Sequence, residues 1–125
     1  MIAGIGIDLV NISRVERILG EWGKRFQSKY FTQSEITHSE AIKGSGLFFA
    51  SNFAVKEAFS KAVGTGFRGG LRLSQVEVLR DELGKPYINL YGKAWQIAQE
   101  MSVTSIHASI SHDGEYAVAV VVLER

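Results

Sequence analysis

The chain contains no cysteine. Disulfides, thiolate catalysis and sulfur-ligated metals are therefore excluded together. It lacks any apolar run near the ~20 residues needed to span a bilayer. It also lacks a strong charge of one sign: 14 Lys and Arg stand against 13 Asp and Glu, for a formal net charge of +1. No global basic field speaks for nucleic acid as a partner. The opening residues, MIAGIGIDLV, carry no basic segment and place Asp8 inside the apolar run. They are not expected to act as a signal peptide. A cytoplasmic protein with no membrane partner is the expectation. At 125 residues the chain should form one domain, residues 1–125. A domain of that size buries only a modest share of its surface, so self-association would help it.

What is present reads as an α+β fold, a mainly antiparallel sheet packed against a long central helix. IAGIGIDLV alternates Ile5, Ile7 and Leu9 against Gly4, Gly6 and Asp8, which predicts a strand with one aliphatic face and one face almost bare of side chains. SRVERILGEWGKRF follows. Ser13 and Glu16 stand in capping-box spacing, and Val15, Ile18, Leu19 and Trp22 form an apolar stripe. Thr32 and Glu35 repeat the capping signature. KGSG breaks the chain before a central helix over about 47–63. The second half predicts strands at SQVEVLR and YINLY around a DELGKP turn, a helix at KAWQIAQEM, and a final hairpin that turns at Asp113-Gly114.

The central helix holds the candidate chemistry. Val55, Ala58, Phe59 and Ala62 form its core stripe, with Glu57 and Lys61 beside it and Ala50, Ala54 and Ala58 along the border. Glu57 and Lys61 at this spacing are either a surface pair worth ~0.3–0.5 kcal/mol or part of a site. Asp8 bears on the choice. A carboxylate in an apolar strand is costly unless paired or bound to a cation. Its partner is an arginine, a helix terminus or a hard metal. Asp and Glu oxygens without cysteine suit Mg²⁺, which takes one or two carboxylates and leaves positions for water and phosphate. GTGFRGG after the helix is either a C-cap and loop or a ring of backbone N–H groups for an anion. Lys61 and Arg68 would supply its positive charge. His112, at the head of the last hairpin, is either solvated or aimed at the same anion. His38 and His107 have no acid or nucleophile arranged around them in the sequence, and the three histidines are not spaced as zinc ligands.

GIGIDLV, FTQSE, FAVKEAFSKAVGTG, ELGKPYI and SISHDGEYAVAVVV, in this order and across nearly the whole chain, resemble the small single-domain 4′-phosphopantetheinyl transferases, the holo-[acyl-carrier-protein] synthase family. That resemblance implies transfer of the 4′-phosphopantetheine arm of coenzyme A to a serine of acyl carrier protein, with release of 3′,5′-ADP. It implies Asp8 and Glu57 as holders of Mg²⁺, and Lys61 as the lysine that meets coenzyme A phosphates. Gly64, Thr65 and Gly66 would border the nucleotide, with His112 near the phosphates. It implies a homotrimer with active sites at subunit boundaries. Arg14, Arg17, Arg25 and Phe26 fall in the region that docks an acidic helix of the carrier protein.

Such chemistry suits these residues, because charge gathers on phosphoryl and leaving oxygens and is best met by a cation and positioned lysines. Glu57 is the nearest base for the serine proton, directly or through a metal-bound water. The family usually has an arginine just before its F-A-x-K-E run, where this chain has Asn52. Restoring it is expected to tighten coenzyme A by roughly fivefold.

Two other classes use the same residues. A Mg²⁺-dependent hydrolase of nucleotide pyrophosphates would need no basic docking face. A non-catalytic oligomeric binding module would bind coenzyme A without metal or turnover.

Overall fold

Helix α4 (Ser45–Ala62) is the axis of the fold, because small and aromatic residues occupy nearly its whole circumference. Thirteen of its 18 residues are buried, the polar Ser51, Asn52, Lys56 and Ser60 among them. The computed structural model covers residues 1–125. Strand β1 (Ile2–Asn11) leads into α1 (Ile12–Trp22), α2 (Lys24–Tyr30) and α3 (Gln33–Glu40). After α4 come a short 3₁₀ turn at Leu73–Gln75, β2 (Val76–Arg80) and β3 (Pro86–Leu90). Helix α5 (Gly92–Glu100) and the hairpin β4 (Ser105–Asp113) and β5 (Tyr116–Glu124) close the chain. The strands form an antiparallel sheet of order β1-β5-β4 and a separate antiparallel pair, β2-β3. This is the expected α+β class.

β1 lies directly on α4, and its glycines are the reason. A Cβ at Gly6 would collide with the carbonyl oxygen of Ala58, and one at Gly4 with that of Ala62. The bare face of the strand thus meets the alanine border of the helix, backbone to backbone. Asp8, next on that face, pairs across the sheet with Ala119, which pairs with Ile110. The aliphatic face points the other way. Ile5, Ile7 and Leu9 are 65%, 61% and 62% exposed, alongside their cross-strand partners Val122, Val120 and Val118.

Three local details differ from the sequence expectations. Helix α1 begins at Ile12, because the side chain of Asn11 accepts the Arg14 N–H at 3.1 Å and caps it; Ser13 and Glu16 form no box. Gly23, at φ 49°, then ends α1 and separates it from α2, which leaves Trp22 exposed instead of completing the apolar stripe. The last hairpin turns at Gly114-Glu115. The positive φ of 58° falls on Gly114 as the first loop residue, the position a type II′ turn reserves for glycine, while Asp113 stays in the ladder opposite Tyr116. The Thr32–Glu35 capping box forms as expected, with reciprocal bonds of 3.3 and 3.0 Å.

Candidate active site

Asp8 reaches its partner without arginine or helix cap. Lys61 Nζ donates to Asp8 Oδ1 at 2.9 Å and to the Ile7 carbonyl at 2.9 Å. The Asp8 side chain is 16% exposed and that of Lys61 53%, so the pair lies at a solvent-facing rim. Glu57, one helical turn before Lys61, joins them. Partial burial raises its pKa above the ordinary glutamate value, the charge of Asp8 raises it further, and Lys61 opposes both. No donor of the chain bonds to its carboxylate, and no third acid, histidine or cysteine converges on the pair. A half-buried, unpartnered carboxylate close to a second one fits a hard cation that takes two protein oxygens and fills its shell from water and phosphate.

Glu57 also opens onto a groove of about 680 Å³ between α4 and the two helices after β1. Arg14, Arg25 and Lys29 give it positive charge, and Ile18, Trp22 and Phe53 give it an apolar floor. Arg17 is exposed but does not line this groove. Arg25 lies over the Trp22 ring, 5.8 Å from its centroid. Phe26, expected on the docking face, is mainly a core residue. It is 8% exposed, packed edge-on against Tyr30 and Phe31, with only part of its surface left to the groove.

The turn after α4 is a helix cap. Gly64 N–H donates to Lys61 O and Gly66 N–H to Ser60 O, at 3.0 and 3.1 Å. Those amides are therefore spent. Of Gly64, Thr65 and Gly66, only the exposed Thr65 has an N–H with no backbone acceptor.

His112 stands elsewhere. It lines a separate groove of about 320 Å³ with Lys43, Ser51 and Arg80, which shares no lining residue with the Glu57 groove.

The lysine and asparagine that flank the site in sequence do not belong to it. Lys56 is fully buried and donates to Glu35 Oε1 at 2.8 Å, Leu73 O at 3.0 Å and Val76 O at 2.6 Å. All three of its protons are used. Asn52 is also fully buried, with Nδ2 donating to Glu35 Oε2 at 2.8 Å and Val78 O at 3.0 Å. An arginine at position 52 would have to replace this network with a buried charge, so the expected gain in coenzyme A binding from Asn52→Arg is withdrawn. Arg80, which the sequence did not single out, donates through Nη2 to Asn52 Oδ1 at 2.8 Å.

These elements carry a recognisable ancestry. The family model of the 4′-phosphopantetheinyl transferase superfamily matches residues 4–121. The chain belongs to that superfamily. A holo-[acyl-carrier-protein] synthase of Geobacter metallireducens is 48% identical over 125 residues, covering 100% of this chain and 99% of the relative. One from Vibrio cholerae is 42% identical over 125 residues, with 100% and 99% covered. Among solved structures, the holo-[acyl-carrier-protein] synthase of Neisseria meningitidis superposes with a TM-score of 0.90 at 34% identity, over 100% of both chains. The Helicobacter pylori synthase, crystallised in complex with coenzyme A, gives 0.84 at 32%, over 96% and 99%. This 4′-phosphopantetheinyl transferase thus shares its whole fold with those enzymes.

Proposed function

We propose that the chain is a holo-[acyl-carrier-protein] synthase. It moves 4′-phosphopantetheine from coenzyme A to a serine of apo-acyl carrier protein and releases 3′,5′-ADP. The observation that carries this is the Asp8–Glu57–Lys61 cluster at the end of an arginine-lined groove. A hydrolase of the same carboxylates would have no use for that groove. In the transfer, the carrier serine oxygen bonds to the phosphorus that bears the pantetheine arm, and the bond from that phosphorus to the bridging oxygen of 3′,5′-ADP breaks. Lys61 places positive charge beside the pyrophosphate, and Asp8 holds the lysine there. Asp8 and Glu57 are the residues that would hold Mg²⁺, which when bound neutralises charge on the pyrophosphate. Glu57 is the group placed to receive the serine proton, directly or through a water on the bound cation. The reaction is tested by incubating the protein with coenzyme A, Mg²⁺ and apo-acyl carrier protein and taking the intact mass of the carrier. No mass gain would remove the proposal.

The carrier docks on α1 and α2. Arg14 lines the groove and Arg17 does not, so Arg14→Glu is expected to raise KM for the carrier more than Arg17→Glu, with little change in KM for coenzyme A. The carrier KM of the unmutated protein should climb with salt, since exposed charges are screened over ~8–10 Å. A carrier KM that ignores both salt and Arg14→Glu would move docking to another face.

A homotrimer is part of the same proposal, in the cytoplasm where coenzyme A is available. Its support is the exposed aliphatic face of β1, since a contiguous apolar patch on a soluble chain marks an interface. A neighbour on that face also gives the His112 groove a way to meet a ligand held at Asp8 and Glu57 of another copy. Ile7→Lys places a charge at the centre of the patch. It should convert trimer to monomer in sedimentation equilibrium and weaken coenzyme A binding with it. A variant that keeps the assembly of the unmutated protein would place the interface elsewhere.

A further inference from the structure

The groove around His112 has no acidic residue in its lining, while Lys43, Arg80 and His112 all contribute. Arg80 is its most fixed member. Its guanidinium lies over the Phe48 ring, 5.1 Å from the centroid, and is anchored by Asn52 Oδ1 at 2.8 Å. Asn52 cannot turn away, because its Nδ2 is held by Glu35 and Val78 O. Glu35 in turn is held by Lys56 and by the Thr32 N–H. A chain of buried bonds therefore fixes one arginine on the strand side, where it borders this groove and the neighbouring one at Thr37 and Tyr87. That arginine takes part in no ion pair, although guanidinium carries five donors and only two of its nitrogens donate within the chain. Glu35 acts on its charge from behind Asn52 but makes no ion pair with it, so this half-buried guanidinium keeps donors free for a phosphate or carboxylate.

We propose that Arg80, delivered by β2 and aimed by Asn52, binds the 3′-phosphate of coenzyme A in this chain. The family resemblance places an arginine at position 52, on the helix. Here that position supplies the amide that orients a guanidinium coming from the facing strand. The 3′-phosphate is singled out by elimination. The reacting pyrophosphate belongs at Asp8, Glu57 and Lys61. The Arg80 groove shares no lining residue with the groove at Glu57, and in the assembly proposed above it meets a ligand held there by another copy. The one remaining phosphate of coenzyme A is the 3′-monoester. This inference rests on coenzyme A being the donor substrate.

Arg80→Met and Arg80→Lys test it. KM for coenzyme A and for 3′-dephospho-coenzyme A is measured in the transfer assay, with calorimetric titration of each nucleotide in parallel. Arg80→Met should raise KM for coenzyme A about tenfold, the equivalent of one charge-assisted bond in a partly sheltered site. It should leave kcat and carrier KM unchanged, and its penalty should vanish with 3′-dephospho-coenzyme A. Arg80→Lys should recover part of the affinity. Melting curves identify variants that fail to fold, and Arg80→Lys then carries the test through its preference between the two nucleotides. An equal penalty on both nucleotides, or none on either, overturns the proposal. A wild-type protein that binds coenzyme A but transfers nothing overturns the synthase function instead, and the titrations still decide Arg80.

Discussion

Asp8→Asn and Glu57→Gln should each lower turnover by at least ~100-fold and leave the fold standing, because each removes an oxygen that a hard cation needs while the helix and strand that carry it remain packed. In Asp8→Asn, Lys61 keeps its bond to the Ile7 carbonyl but loses the carboxylate that fixes it. Glu57→Gln has a second signature. A glutamate whose pKa is raised in the folded state binds its proton more tightly there than when unfolded, so its contribution to stability falls as pH rises from 4.5 through the raised value. At neutral pH and without metal, Glu57 is thus a small liability, and its amide variant should melt no lower than the unmutated protein. The measurements are steady-state transfer to apo-carrier and thermal melts without Mg²⁺. Near-normal rates at saturating Mg²⁺ in either variant would end the metal assignment.

The sequence showed the Asp8, Glu57 and Lys61 cluster better than it showed what surrounds the cluster. Glu57 and Lys61 are one turn apart on a helix whose apolar stripe is plain, and Asp8 interrupts an apolar strand, so three residues from two elements announced themselves by local pattern. The close packing of β1 was legible in part. Glycines against alanines foretold a near approach, and the partner turned out to be the strand backbone itself. The burial of Lys56 and Asn52 was not legible. Their partners are Glu35, Arg80 and the carbonyls of Leu73, Val76 and Val78, all in other elements, and neither periodicity nor spacing encodes a contact between them. Nor could the sequence say which face of β1 meets the core. Alternation defines two faces, and the aliphatic one would normally turn inward. Here the helix needs the bare face, so the aliphatic face is left exposed. The hairpin slipped by one residue because Asp-Gly suits one turn type and Gly at the first position another, and the strand register selected the second.

The same buried network gives the largest expected change in stability. Glu35 and Lys56 are both fully buried, paired at 2.8 Å. Taking two charges out of water costs several kcal/mol each, and only their mutual attraction and further hydrogen bonds offset it. Those bonds are complete here: Glu35 accepts from Thr32, Asn52 and Lys56, and Lys56 also donates to two carbonyls and lies 5.0 Å from the centroid of the Phe31 ring. Glu35→Ala strands an ammonium in the core and should cost about 3–5 kcal/mol, a drop of more than about 10 °C in Tm for a chain of this size. Lys56→Met strands the carboxylate and should cost a similar amount. The double variant should lose clearly less than the sum of the two, since neither charge is then left alone. Glu35→Ala has a pH signature as well. Burial already lowers the Lys56 pKa below 10.5, and the charge of Glu35 opposes that shift, so without Glu35 it falls further. Between that lowered value and 10.5 the unfolded chain binds more protons than the folded one, and stability rises with pH. Relative to the unmutated protein, Glu35→Ala should therefore recover as pH is raised toward 10. The measurement is equilibrium denaturation across pH at one fixed protein concentration, which keeps any assembly term constant. Additive single costs, with no recovery at alkaline pH, would show that Glu35 and Lys56 contribute as separate packing groups and not as a coupled pair.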